Sequence, residues 1–211
     1  MVMSKKQFYH FTEGFSSLYD SGTEEQKMHL QEALGFYIDQ YYYHKKNIDN
    51  KSVAHSYNKK IDESIEETII EKISCKKGCF FCCRTNVVVT DDEAALLLAY
   101  AKDEGITIDW DLVERQSKHD HKSWKDQPLA DQRCPFLSDK GECKVYEFRP
   151  SVCRKLFVTT EPKYCDTEKF PGKKVKRLTI TDPEIIVSAI WNATECGTMG
   201  KMLMSKRELY E

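Results

Sequence analysis

Apolar residues in the first third of the chain recur three or four positions apart, the spacing that aligns one face of an α-helix. Phe8, Phe11, Phe15, Leu18 and Tyr19 form a first stripe, and Leu30, Leu34, Tyr37, Ile38 and Tyr41 a second. Between them Thr23-Glu-Glu-Gln26 has the form of a capping box, which marks where the second helix begins. Val53, Tyr57, Ile61, Ile65, Ile69 and Ile73 predict a third helix that runs up to the first cysteine and delivers Cys75. Val87-Val88-Val89 is a short β-type run. Thr90-Asp-Asp-Glu93 then repeats the capping-box form and opens a helix through AALLLAYAKDE that Gly105 should stop. Asp109 to about Trp124 reads as a polar, half-exposed helix. The run VKRLTI, residues 175–180, suits a strand, expected to pair near Val87–Val89. Asp182 is the expected N-cap of a last helix, with Pro183 in its first turn and Cys196 further along it.

The stretch RCPFLSDKGECKVYEFRPSVCRKL lacks any such period. Pro135, Gly141 and Pro150 divide it into turns and short helical pieces. There is no internal repeat and no βαβ alternation. The fold class expected is mainly α. A helical N-terminal segment, residues 1–73, packs as one compact unit on a loop-rich, cysteine-liganded metal region, residues 74–211, with at most a small β ribbon.

Composition narrows the function. Lys and Arg number 32 against 34 acidic residues, a net charge of −2 that gives no sign of bulk nucleic-acid binding. Lys173, Lys174, Lys176 and Arg177 make a short basic run, but no aromatic residues interleave it for base stacking. The opening MVMSKKQFYHFTEGF has no long apolar run after its lysines, and no stretch is apolar enough to span a membrane. A reducing cytoplasmic location is therefore expected. No Gly-rich phosphate loop, Ser-His-Asp pattern or HExxH occurs.

That location changes how the nine cysteines read. An odd number of thiols at short spacing, in a chain long enough to need no staples, points to metal ligation before disulfides. Residues 75–84 read CKKGCFFCCR, placing Cys75, Cys79, Cys82 and Cys83 in one loop, with Gly78 relieving the turn. Adjacent side chains such as Cys82 and Cys83 diverge in most backbone conformations, so they suit two neighbouring centres or one multinuclear cluster. Cys134, Cys143, Cys153 and Cys165 follow downstream, making eight sulfurs, enough for two all-thiolate sites. Cys196 is the spare, a small buried apolar side chain. All-sulfur sites suit zinc and iron–sulfur clusters alike. Phe80 and Phe81 would give the knot a dry shell or anchor its loop in the core.

CKKGCFFCCR, then VVVTDDEAALL, then CPFLSDKGECKVYEFRPSVCR, resembles in order and spacing the cysteine-cluster family of the YkgJ type, with its CxxCxxCC knot. The resemblance covers roughly residues 75–165 and implies zinc or iron chelation, with Cys75, Cys79, Cys82, Cys83, Cys134, Cys143 and Cys153 as ligands and Cys165 joining them. A more distant likeness in cysteine pattern is to flagellin lysine methylase, a larger protein. Tyr146, Arg149, Pro150 and Arg154 belong to the matching segment. Either arginine has the chemistry to donate hydrogen bonds to metal-bound sulfurs or offset their charge. Arg154, beside Cys153, is the preferred candidate, while Arg149 is equally suited to a surface ion pair.

Cys75, Cys79, Phe81 and Cys82 also fit the radical S-adenosylmethionine signature. That motif normally sits in a β/α barrel, which the remaining residues do not predict. His119 and His121 are two apart, so they point to different sides of the helix expected there and read as a solvated face. The function expected is metal binding, with zinc or an iron–sulfur cluster held by clustered thiolates. The alternative is a cluster-dependent transferase such as a protein lysine methylase.

Overall fold

The structure is a computed structural model that describes residues 11–76, 78–166 and 168–211; Phe8 of the first stripe lies outside them. Helix α1 spans Glu13–Ser21, and its N-cap Thr12 accepts from the Phe15 N–H. Helix α2, Glu24–Asn47, opens on the expected capping box: Gln26 N–H donates to Thr23 and Thr23 N–H to the Gln26 side chain. Helix α3, Asn50–Glu63, is capped by Asp49. It stops ten residues short of the predicted end, where the Ser64 hydroxyl donates to the Ile61 carbonyl and the chain resumes only as the single turn α4, Glu67–Ile70. The isoleucine period continues past the break, but Ile65, Ile69 and Ile73 find no core to enter; none of them is buried.

Strand β1, Val88–Thr90, leads into α5, Asp91–Asp103, through the second capping box. Helix α6, Trp110–Ser117, is shorter than the sequence suggests. His119 and His121 lie beyond its end, and Trp124 starts a separate 3₁₀ turn. The short α7, Ser151–Lys155, carries Cys153 and is followed by β2, Phe157–Val158, and β3, Arg177–Leu178. Helix α8 spans Thr181–Ala193, β4 Cys196–Thr198 and α9 Met199–Met204. Asp182 and Pro183 fall inside the first turn of α8, whose N-cap is Ile180 without a side-chain bond, so the expected cap is displaced by two residues.

The strand pairing differs from expectation. β3 pairs antiparallel with β2, Phe157 opposite Leu178, and β1 pairs antiparallel with β4, Val88 opposite Thr198. Cys196 therefore sits on a strand and not a helix. Strands of two or three residues carry little pairing information of their own, and the long-range packing of the helices decides which edges meet. The class stays mainly α, with two small ribbons among the described residues.

Two apolar clusters hold the molecule. The first joins Phe15, Leu34, Tyr41, Val53, Tyr57 and Ile61 to Ile185, Ile186, Val187 and Ile190, so α8 fills the groove between α1, α2 and α3. The second joins Val89, Leu97, Leu98, Val113, Phe136, Val145, Met202 and Leu203. Burying each of the larger side chains stabilises by about 1.5–3 kcal/mol. Phe136 and Val145 belong to the cysteine region, so this second core is where that region is anchored.

Candidate metal centre

Gly78 adopts φ 91°, the left-handed conformation a side chain resists, and Cys79 N–H donates to the Lys76 carbonyl across the turn. The chain then enters the 3₁₀ turn Phe81–Arg84, which presents Cys82 and Cys83 in succession. Cys75 is docked on β2: Ser74 N–H donates to the Val158 carbonyl at 2.8 Å, and Val158 N–H donates to the Cys75 sulfur at 3.4 Å.

The partner segment is a tight hairpin. Lys144 N–H donates to the Phe136 carbonyl at 2.9 Å, Ser138 N–H to Glu142 at 2.8 Å, and Leu137 bridges Cys143. Cys134 N–H donates to the Cys83 carbonyl at 2.8 Å, which splices the hairpin onto the knot. Phe80 lies against the hairpin turn: a Cβ placed on Gly141 would come within 2.7 Å of its ring. Phe80 also stacks on Phe81 at 4.9 Å. The phenylalanines therefore anchor the knot to the hairpin. Gln116, buried on α6, holds the segment entering Cys134 by donating to the Asp131 and Arg133 carbonyls, both at 2.7 Å. Nothing in the sequence pattern singles out that glutamine.

Helix α7, which carries Cys153, is fixed on three sides. Glu93 of α5 accepts from the Ser151 N–H at 2.6 Å, Lys155 pairs with buried Glu184 of α8 at 2.7 Å, and Arg154 pairs with Asp62 of α3. Arg154 also donates to the Arg149 carbonyl at 2.9 Å and to that of Glu147. Its guanidinium thus spends three of its five N–H groups on a carboxylate and two carbonyls, and none of these bonds goes to sulfur. Arg149 is the residue that faces the thiols. It lies over the Tyr146 ring at 4.2 Å, and its buried Nε has no hydrogen-bond partner.

A cavity of about 140 Å³ opens between these segments, lined by Cys75, Cys79, Cys82, Cys83, Cys134, Cys143 and Cys153 together with Arg149. Cys165, on the 3₁₀ turn Pro162–Cys165, stands outside this lining but feels the charge of Cys75, Cys79 and Cys82. All eight sequence-predicted sulfurs are thereby gathered in one region. Cys196 is not: its electrostatic neighbours are Glu93 and Glu195, and it donates to the Trp191 carbonyl. All nine cysteines are free thiols. Neither histidine of the HDH pair lines the cavity. Among the described residues no three His, Cys, Asp or Glu side chains already stand where they would hold one ion.

Every other thiol of the region senses Cys82, so the eight form one coupled set. Cys75 and Cys79 respond to Cys82, and Cys165 responds to all three. Cys153 responds to Cys134 and Cys143 as well as Cys82, and Cys83 responds to Cys134 and Cys153. Burial pushes Cys134 up to about 12 and Cys153 well above the ordinary thiol value. Cys75, Cys79, Cys143 and Cys165 are raised for the same reason. Cys82 moves the other way. The Cys83 S–H donates to it and holds it below the usual range, helped by Arg149 and Arg177, while the same bond raises Cys83.

Residues 74–171, just under half of the chain, match the CxxCxxCC family, described as a "Putative zinc- or iron-chelating domain". No curated protein and no solved structure matches the chain.

Proposed function

We propose that this chain, whose residues 74–171 match the zinc- or iron-chelating CxxCxxCC family, holds its metal in two adjacent all-thiolate centres. Cys75, Cys79, Cys82 and Cys165 ligate the outer centre; Cys83, Cys134, Cys143 and Cys153 ligate the inner one. The observation that carries this reading is the convergence of eight sulfurs from four separate segments, with Cys165 near Cys75, Cys79 and Cys82, and Cys83 tied by its carbonyl to Cys134. Such a donor set fits zinc or an iron–sulfur centre, since both take soft ligands tetrahedrally. The cavity's 140 Å³ is about ten times the roughly 10–15 Å³ of such space that one water needs, room enough for more than a single bare ion. Ligation requires some thiols to turn inward and give up their protons.

Arg149 serves the inner centre. A tetrathiolate site on a dication carries net negative charge. The unpartnered Nε of a guanidinium beside it supplies both a hydrogen bond to sulfur and a compensating charge. The metal, when bound, supplies either a structural crosslink or an electron-transfer centre, and the thiolates and Arg149 set its potential and its hold.

Anaerobic purification with elemental analysis and a visible spectrum tests the reading. Charge-transfer absorption with iron identifies an iron–sulfur centre, and a colourless stoichiometric zinc protein identifies zinc. Cys83→Ser should reduce the metal content partially, leaving the Cys75, Cys79 and Cys82 centre filled. Loss of all metal in that one variant would instead indicate a single multinuclear cluster. Unchanged metal in both Cys82→Ser and Cys83→Ser would overturn the ligand assignment.

A further inference from the structure

The two groups of cysteines sit in different mechanical surroundings. From Asp62 to Val88, and again from Thr159 to Thr179, no described residue is buried. Cys75, Cys79, Cys82 and Cys165 all lie on these two stretches, and Cys82 is exposed. Cys165 stands on a turn whose backbone bonds are local, Tyr164 N–H to Glu161 and Asp166 N–H to Lys163. The other group is built into the core. Cys134 precedes Pro135 and Phe136, both buried, and Cys143 stands two residues before buried Val145. Both of these thiols pack against the second apolar cluster. Cys153 sits between buried Ser151 and buried Arg154 on the thrice-anchored α7. Cys83 belongs to an exposed stretch, but its carbonyl is tied to Cys134.

Local opening is cheap where few apolar contacts and only local hydrogen bonds resist it, and costly where a core must be disturbed. A metal leaves a thiolate site by stepwise ligand exchange, in which an incoming donor replaces one sulfur at a time, so it leaves faster where ligands swing away and solvent reaches them. We infer, resting on the two-centre reading above, that the outer centre is an exchange site. It takes up a thiophilic ion such as zinc and hands it to an acceptor bearing thiolate or nitrogen donors, while the inner centre is a fixed crosslink. Each metal–sulfur bond broken is replaced by a bond to the acceptor, and each released Cys thiolate takes up a proton; no electrons move. Exposed Cys82 is where the incoming donor enters, and Cys165, on a turn held by local bonds, is the first ligand to leave.

The test uses the full chain, loaded anaerobically with zinc alone and mixed with excess 4-(2-pyridylazo)resorcinol, a coloured chelator. Two equivalents should load, with one released about tenfold or more faster than the other. Cys165→Ser should remove the fast equivalent and leave the slow one unchanged, with an unaltered circular dichroism spectrum because no described residue around it is buried. Cys143→Ser should abolish the slow equivalent, an independent check if the first variant misbehaves. Two equivalents leaving at one rate would overturn the exchange role while the two-centre reading stands, and so would a Cys165→Ser that alters only the slow phase. Loading that stops at one equivalent would overturn both.

Discussion

Gly141 carries two constraints at once. Its φ of 77° lies in the left-handed region, and a Cβ there would meet the Phe80 ring at 2.7 Å. Gly141→Ala should therefore cost about 1–2 kcal/mol for the backbone alone, with a further penalty of about 1–3 kcal/mol for the overlap. Urea unfolding of Gly141→Ala, Phe80→Leu and the double variant separates them. The pair should lose less stability than the two singles added together, and strict additivity would remove the contact from the explanation. A second residue-scale expectation concerns the metal-free thiols. Because Cys83 donates to Cys82, Cys82 ionises first as pH rises, whereas burial holds Cys134 and Cys153 protonated far longer. Mass-mapped iodoacetamide labelling should modify Cys82 at the lowest pH, and Cys83→Ala should move its midpoint upward. The sign for metal follows: most ligand thiols are raised in the folded apo state, so binding must expel protons and weakens as pH falls. Earliest labelling at Cys134 would contradict this order.

At the scale of elements, helices with a cap and a stripe were legible, because a capping box and a period of 3.6 are local properties. Thr23 and Gln26 stand where the pattern put them, as do Thr90 and Glu93. The end of α3 was not legible, since Ile65, Ile69 and Ile73 keep the period but join neither apolar cluster. Nor was the β pairing, which depends on where α8 and α9 return. For the site, spacing pointed to the cysteine region but not to the arginines' partners, such as Asp62 of Arg154, 92 residues away. Glu93 shows the same blindness. Beyond its capping role it accepts from Ser151 N–H on α7, and so positions Cys153. Glu93→Ala strands the buried N–H groups of Thr90 and Ser151, at about 1–3 kcal/mol for each. Glu93→Gln, which keeps one acceptor, should fall between. A lowered urea midpoint at constant slope is the readout, and an unchanged midpoint in Glu93→Ala would show that α7 needs no such anchor.

Across the whole molecule, apolar packing and metal divide the work by region. The cluster of α1, α2, α3 and α8 contains no cysteine, and the buried members of the cluster around β1, α5, α6 and α9 include none, with Cys134 and Cys143 only packed against its edge. Metal removal should therefore leave both cores folded. Its effect should concentrate where no described residue is buried, at residues 74–84, which both centres would crosslink, and at residues 159–176, which the outer centre alone would hold. The hairpin of Cys134 and Cys143 is intermediate: its own backbone bonds and the burial of Phe136 and Val145 hold it in part without metal. Hydrogen exchange of metal-loaded and chelated protein should thus show three levels. Protection should be unchanged in α2, α3, α5 and α8, reduced modestly over residues 134–145, and lost over residues 159–176. Equal protection of residues 159–176 in both samples would show that packing holds that segment. Loss of protection in α2 and α8 would instead make the metal a determinant of the entire fold, a role the metal-free cores argue against.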